Sequence, residues 1–170
     1  MIVDVQQRLL EAMDAPRQVL AGCSLLMKAA DRLEIPVIVT EQYPEGLGPT
    51  VEQLAELADD DAIFSKVHFS AARNTAIRGR IDQLDPASIV IGGIEAHICV
   101  LQTATAFAEA GYRCYVVADA TSSRTPANHA AAMQRLRDAG VEIVTSEMVV
   151  YEWMGQAGTP EFRDLLSLVK

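Results

Sequence analysis

Positive charge is scarce in this chain. Fourteen lysines and arginines stand against 23 aspartates and glutamates, a net charge of −9 over 170 residues. Duplex DNA, an RNA backbone and an anionic membrane each call for a basic face, so no nucleic-acid or membrane partner is expected. No apolar run approaches the ~20 residues of a membrane span. The opening "MIVDVQQRLL" lacks the basic start, long apolar stretch and small-residue cleavage site of a secretory signal. Cysteine is rare and unpatterned: Cys23, Cys99 and Cys114 are odd in number, far apart and without CxxC spacing. His68, His97 and His129 form neither HxH nor HExxH. These absences predict free thiols in a cytoplasmic protein, with no metal site and no cofactor.

Hydrophobic residues, by contrast, make up 50% of the chain, which excludes disorder, and the length suits one domain, residues 1–170, with a substantial core. Residues 1–5 read as a short buried strand. Residues 16–34 carry Val19, Leu20, Cys23, Leu26, Met27, Ala30 and Leu33 at helical spacing behind Pro16, an amphipathic helix. A compact apolar strand, "IPVIVT" (35–40), is followed by a loop, "EQYPEGLGPT" (41–50), a short helix "VEQLAEL" and a solvated turn at Asp59, Asp60 and Asp61. "AIFSKVHFS" (62–70) begins as strand and dissolves into loop near Ser65, and residues 72–84 are helical. "SIVIGG" (88–93) is a buried strand leading to the helix "LQTATAFAEAG", which Gly111 stops. Then come a strand at 112–119, a helix from Pro126 closed by glycine and a last strand at 141–146. The tail forms a helix with Thr159 as cap and Pro160 at its first position. Apolar strands alternating with helices predict an α/β fold: a single-domain, doubly wound, Rossmann-like parallel sheet of about six strands with helices on both faces.

In such sheets ligands bind beyond the carboxyl ends of the strands. That rule collects Asp4 after the first strand, Lys66 after the third, residues 92–99 after the fourth and Asp119 at the end of the fifth. Taken singly, each has a plainer role. Asp4 is a turn cap, Lys66 a solvated lysine and Cys99 a small buried apolar residue; Asp119 holds the next turn with Thr121 and Ser122. Cys23 and Cys114 are assigned to packing. Together, though, a carboxylate, an amine and a thiol at a helix mouth supply a base, an electrostatic partner, a nucleophile and free backbone amides for an oxyanion. The helix mouth and the ammonium are expected to lower the thiol pKa below its usual ~8.5.

The segments "VDVQ", "SKVHFSA" and "IVIGGIEAHICVLQTA", in that order, resemble the isochorismatase-like cysteine hydrolase superfamily, which includes nicotinamidases and N-carbamoylsarcosine amidohydrolases. "EQYPEGLGPT" and "GIEAHICVLQTA" are most similar to its isochorismatase domain-containing subgroup. The resemblance spans Asp4 to about Ser146. By position it implies Asp4 as general base, Lys66 as catalytic lysine and Cys99 as nucleophile, with the amides of Glu95 and Cys99 as oxyanion hole. It also implies a cis peptide at Ile94–Glu95. Gln6, Tyr43, Phe69 and His97 are the candidate pocket residues. Where nicotinamidases of the family carry an Asp-x-His metal pattern, this chain reads Thr40, Glu41, Gln42, Tyr43, which disfavours a metal-dependent nicotinamidase. Isochorismatases proper lack the cysteine that this chain has.

The resulting expectation is a Cys-Asp-Lys hydrolase acting on a small amide or related acyl compound through a thioester. The alternatives are a cysteine-independent hydrolase of isochorismatase type and a binding or scaffold protein that retains the fold. Glu95 narrows the pocket, points into the fold or pairs with an arginine. The apolar patch of Met148, Val149, Val150, Tyr151, Trp153 and Met154 either packs on its own domain or forms an interface. Family members are commonly homo-oligomers, so assembly is expected.

Overall fold

The computed structural model describes residues 1–169. Its centre is one six-stranded sheet, all parallel, in the order β3-β2-β1-β4-β5-β6. The strands are β1 (Ile2–Val3), β2 (Val39–Gln42), β3 (Ile63–Lys66), β4 (Ser88–Gly93), β5 (Arg113–Thr121) and β6 (Glu142–Val144). The helices are α1 (Gln7–Leu10), α2 (Pro16–Arg32), α3 (Pro44–Leu47), α4 (Glu52–Ala55), α5 (Thr75–Leu84), α6 (Leu101–Glu109), α7 (Pro126–Asp138), α8 (Ser146–Met154) and α9 (Pro160–Val169). The expected doubly wound α/β architecture is the observed one.

Alternation along the central strands assigns the two faces. Ile89 and Ile91 of β4, with Cys114 and Val116 of β5, pack against α5, α6 and α7 through Ile81, Phe107 and Leu136. Val90 of β4 and Val117 of β5 face the other way, toward Val19, Cys23 and Leu26 of α2. Cys23 and Cys114 therefore sit in opposite core layers, as packing residues, and burial pushes their thiols up to about 12 and about 11. Helix α9 closes over α2 and α8 through Leu165, with Arg32 bridging Glu161 and Asp164 at 3.2 and 2.8 Å.

Strand order places the switch point between β1 and β4. Both strands feed their carboxyl ends to one edge while their crossovers leave in opposite directions, which opens a crevice there. Gly93 lets the two strands meet. Its φ is +116°, and a Cβ at this position would overlap the Val3 backbone.

Several boundaries differ from the sequence reading, each for a local reason. β1 stops at Val3 because Asp4 turns into the left-handed region, φ +54°. The second strand lies at 39–42 rather than 35–40, since its ladder with β1 begins only at Ile2–Val39. The expected loop at 41–50 thus gives its first two residues to β2, and residues 44–47 form a short helix. β3 runs to Lys66, beyond the expected break at Ser65. α5 starts at Thr75 because the Asn74 side chain accepts from the amides of Ala76 and Ile77 and so caps it. β5 extends to Thr121, which pairs with Gly93 after a register shift in β4. The last strand ends at Val144, where Thr145 caps the unexpected helix α8 by accepting from Met148 N at 3.3 Å. In the tail, Thr159 accepts from Phe162 N at 3.0 Å, and Lys170 lies outside the described residues.

Helix α8 also resolves the apolar patch. Val149 and Val150 are buried against the domain's own core, and Trp153 packs there too, while Met148 and Tyr151 remain exposed.

Candidate active site

Asp4 leaves β1 into the crevice. Its amide donates to Thr40 O at 3.0 Å, which anchors the backbone to β2 at the point where the chain turns. The side chain is wholly buried, a placement a carboxylate tolerates only with partners. Lys66, the last residue of β3, reaches across β2 and donates to Asp4 Oδ2 at 2.7 Å; neither side chain is exposed to solvent. Thr40 Oγ1 donates to the other oxygen, Oδ1, at 2.7 Å. Lys66 Nζ donates further to Gln42 Oε1 at 2.8 Å and to the Phe69 carbonyl at 3.2 Å. All three ammonium hydrogens are therefore engaged.

Cys99 enters from the β4 side. After the cis peptide Ile94–Glu95, residues Ala96–Val100 form a single π-helical turn that runs into α6. Ala96 N donates to Ser122 O at 2.7 Å, and Ile98 N and Val100 N both donate to Glu95 O, at 3.0 and 3.2 Å. The fourth residue of this turn is Cys99, buried, with its thiol near enough to the Asp4 carboxyl for each to shift the other's pKa. Aspartate, lysine and cysteine, scattered over 95 positions, thus converge at the switch point.

The electrostatics depart from the expectation of a lowered thiol pKa. Burial, first, and the facing Asp4 charge, second, push the Cys99 thiol well above its ordinary range, and Lys66 only partly opposes them. The site at rest holds a neutral thiol beside a carboxyl group. Burial likewise raises the Asp4 carboxyl, against the downward pull of the Lys66 charge and the hydrogen bonds from Lys66 and Thr40. A raised carboxyl is the stronger base, which suits a group that must take a proton from a reluctant thiol.

The candidate pocket residues divide. Tyr43 and Phe69, both more than half exposed, stand at the ends of β2 and β3 beside Lys66: Tyr43 N donates to Lys66 O at 2.9 Å. His97, half-buried, shares a hydrogen bond of 2.9 Å between its Nδ1 and Ser123 Oγ. Gln6 is fully buried, and its amide is consumed within the fold. Its Nε2 donates to the Gln42 and Gly48 carbonyls at 3.0 and 2.6 Å, and its Oε1 accepts from Gln42 N at 2.8 Å. It braces β2 rather than facing a ligand. Asp119 does not hold its own turn with Thr121 and Ser122. It instead accepts from Ser146 N and Oγ, at 2.7 and 2.6 Å, and fixes the start of α8.

Three features escaped the sequence reading. Thr40 and Gln42, alternate residues on one face of β2, bond Asp4 and Lys66; the only signal was two polar side chains at the end of an apolar strand. Glu95 takes the last of its three expected readings, pairing with an arginine, and it is the partner's identity, Arg124 at 2.8 Å, that no spacing rule supplies. The Ser122–Ser123 segment clamps the π turn through Ala96 and His97. No three His, Cys, Asp or Glu side chains among the described residues converge as metal ligands would. A cavity of about 290 Å³ lies at the opposite edge, lined by Met1, Met27, Ile38, Ile89 and Trp153, and touches none of these residues.

An isochorismatase domain matches residues 1–148, nearly the whole span from the first strand to α8. The chain belongs to the isochorismatase family, a family of hydrolases. It is 34% identical over 168 residues to isochorismatase domain-containing protein 2 of Xenopus laevis, covering 99% of this chain and 81% of that one. The secreted isochorismatase effector Isc1 of Phytophthora sojae is 36% identical over 156 residues, covering 89% and 74%. Among solved structures, the MAR1 ribonuclease of Caenorhabditis elegans superposes with a TM-score of 0.93 at 33% identity, covering 99% of this chain and 86% of that one. The YcaC gene product of Escherichia coli, described as an octameric hydrolase of unknown specificity, shares the fold at a TM-score of 0.86 and 22% identity, covering 98% and 90%.

Proposed function

We propose that this chain hydrolyses a small amide, or a related acyl compound, by covalent catalysis at Cys99. The observation that carries the reading is the buried junction in which Lys66 fixes Asp4 and Asp4 faces the Cys99 thiol. Because the resting thiol is neutral, attack and deprotonation belong to one event. Asp4 accepts the thiol proton as Sγ bonds to the substrate carbonyl carbon, and the electron pair of the C=O moves onto oxygen. The amides of Glu95 and Cys99 serve as oxyanion donors; those of Ala96, Ile98 and Val100 are already engaged. Collapse of the tetrahedral intermediate breaks the C–N bond, and the proton on Asp4 leaves with the amine. Water then gives a proton to Asp4 and adds to the thioester, and the acid departs as the proton returns to sulfur.

Lys66 acts in this scheme as a fixed positive charge. With its three hydrogens on Asp4, Gln42 and Phe69, it holds the carboxylate without giving up a proton. Three unpaired cysteines suit a reducing compartment, so the activity is assigned to the cytoplasm. The ribonuclease name belongs to the Caenorhabditis relative. Here a net charge of −9 opposes a polyanionic substrate, and RNA is not the substrate proposed.

The test is turnover of a panel of small primary and secondary amides by the wild type, Cys99→Ala and Asp4→Asn. Cys99→Ala is expected to abolish turnover, and Asp4→Asn to reduce it by roughly 10²–10⁴-fold, the usual worth of a general base. Activity that survives Cys99→Ala but not Asp4→Asn would transfer the chemistry to the aspartate-only route.

A further inference from the structure

Within β2, beside Asp4, stands a threonine whose hydroxyl is committed. Thr40 is fully buried, so its hydroxyl needs a partner inside the protein. It donates to Asp4 Oδ1 at 2.7 Å, while its carbonyl accepts from Asp4 N at 3.0 Å. The residue thus grips Asp4 at both ends, backbone and carboxylate. This double grip coincides with the one place where the chain needs it: Asp4 sits at φ +54°, outside the β1 ladder, with no strand to fix its direction.

Two points define the plane of a carboxylate. Lys66 holds Oδ2 and Thr40 holds Oδ1, so the group cannot rotate about its last bond without breaking one of two bonds of 2.7 Å. Cys99 is the remaining neighbour that acts on this carboxyl group. We propose that Thr40 is a positioning residue of the reaction, aiming the Asp4 carboxylate at the Cys99 thiol. The inference rests on the preceding reading of Cys99 as nucleophile and Asp4 as base. Thr40 touches no reacting atom; it acts through Asp4.

A role in aiming is separable from a role in packing. Valine has nearly the shape of threonine and fills the same space without the hydroxyl. Thr40→Val therefore removes one hydrogen bond to the ionised carboxylate and leaves Lys66 as the only charged partner. The titratable groups facing Asp4 are Lys66 from β3 and Cys99 from the π turn, and Glu95, paired with Arg124, faces Cys99. None of these is altered by the substitution. Loss of the Thr40 bond disfavours the ionised form of Asp4, so its acid limb moves to higher pH. A charge-assisted hydrogen bond corresponds to about one pH unit.

The experiment needs no substrate. Iodoacetamide, itself a primary amide, is used as the probe, and alkylation of Cys99, Cys23 and Cys114 is followed between pH 5 and 9 by peptide mass analysis. In the wild type, Cys99 is expected to react faster than the other two thiols, with a rate that falls on the acid side as Asp4 takes up a proton. In Thr40→Val this limb is expected to shift up by about one unit, lowering the rate about tenfold on the acid side. Thr40→Ser, which restores the hydroxyl, is expected to return the limb to its wild-type position. An unshifted limb in Thr40→Val overturns the proposal, even if the rate falls uniformly. Should Thr40→Val not fold, Thr40→Ala is read in its place; failure of both to fold assigns Thr40 to packing and also overturns it. A wild-type Cys99 no faster than Cys23 or Cys114 is a different result, one that removes the nucleophile reading itself.

Discussion

Lys66 and Asp4 form a completely buried pair, and such pairs are asymmetric in their energetics. Removing one partner strands the other charge and destabilises by about 3–5 kcal/mol, whereas replacing both by neutral groups often leaves stability nearly unchanged. Lys66→Met is expected to lower stability by about that amount in urea denaturation, and Asp4→Asn in the same background to recover most of it. A double variant as unstable as Lys66→Met alone would mean that Asp4 had already been neutral in the folded protein. The same residues show where a sequence is mute. The identities of Asp4, Lys66 and Cys99 were legible from strand ends and from the family likeness. The direction of the thiol's pKa was not, because it is set by burial and by a facing carboxylate that becomes a neighbour only in the fold. Gln6 was equally opaque: a polar residue two positions after a site aspartate reads as pocket wall, and only its bonds to Gln42 and Gly48 reveal a brace.

Among elements, the long apolar ones were readable and the short polar ones were not. α2 and β4 announce themselves by periodicity and by β-branched runs. α8 does not, because Met148 to Met154 is apolar on several sides and because Thr145, its cap, reads as the end of a strand. The π turn is also invisible in sequence, since its extra residue per turn leaves no compositional trace. The meeting of β1 with β4 offers a test at this scale. Gly93→Ala sets a methyl against the Val3 backbone and forces a side chain into φ +116°. A loss of at least about 2–3 kcal/mol is expected from the backbone conformation and overlap together, measured by thermal melting. Any folded fraction is expected to have a slowed Cys99, since Asp4 and Cys99, the proposed base and nucleophile, follow these two strands. A Gly93→Ala protein with wild-type melting and wild-type alkylation would show that the strands have room to separate.

The whole molecule carries exposed apolar groups on two faces. Met148 and Tyr151 stand out from α8, and Tyr43, Val67 and Phe69 crowd the rim of the crevice. Homo-oligomeric assembly is the expectation for such a surface. Light scattering behind size exclusion is expected to give a multiple of 18.4 kDa, and Tyr151→Glu or Phe69→Glu to reduce it, depending on which face is used. A wild-type mass of 18.4 kDa at micromolar concentration would sink this expectation.

The parallel winding that brings the site together also sets a schedule for its birth. Asp4 leaves the ribosome 62 positions ahead of its lysine partner. At roughly 5–20 residues per second, the carboxylate waits about 3–12 s for the charge that will accompany it into the core, and longer for the thiol. At the end of that interval the strand that ends at Val3 still lacks β4, one of its two neighbours in the sheet. The nascent chain therefore keeps its acid in water until the centre of the sheet exists, and the chemistry arrives only with the finished fold.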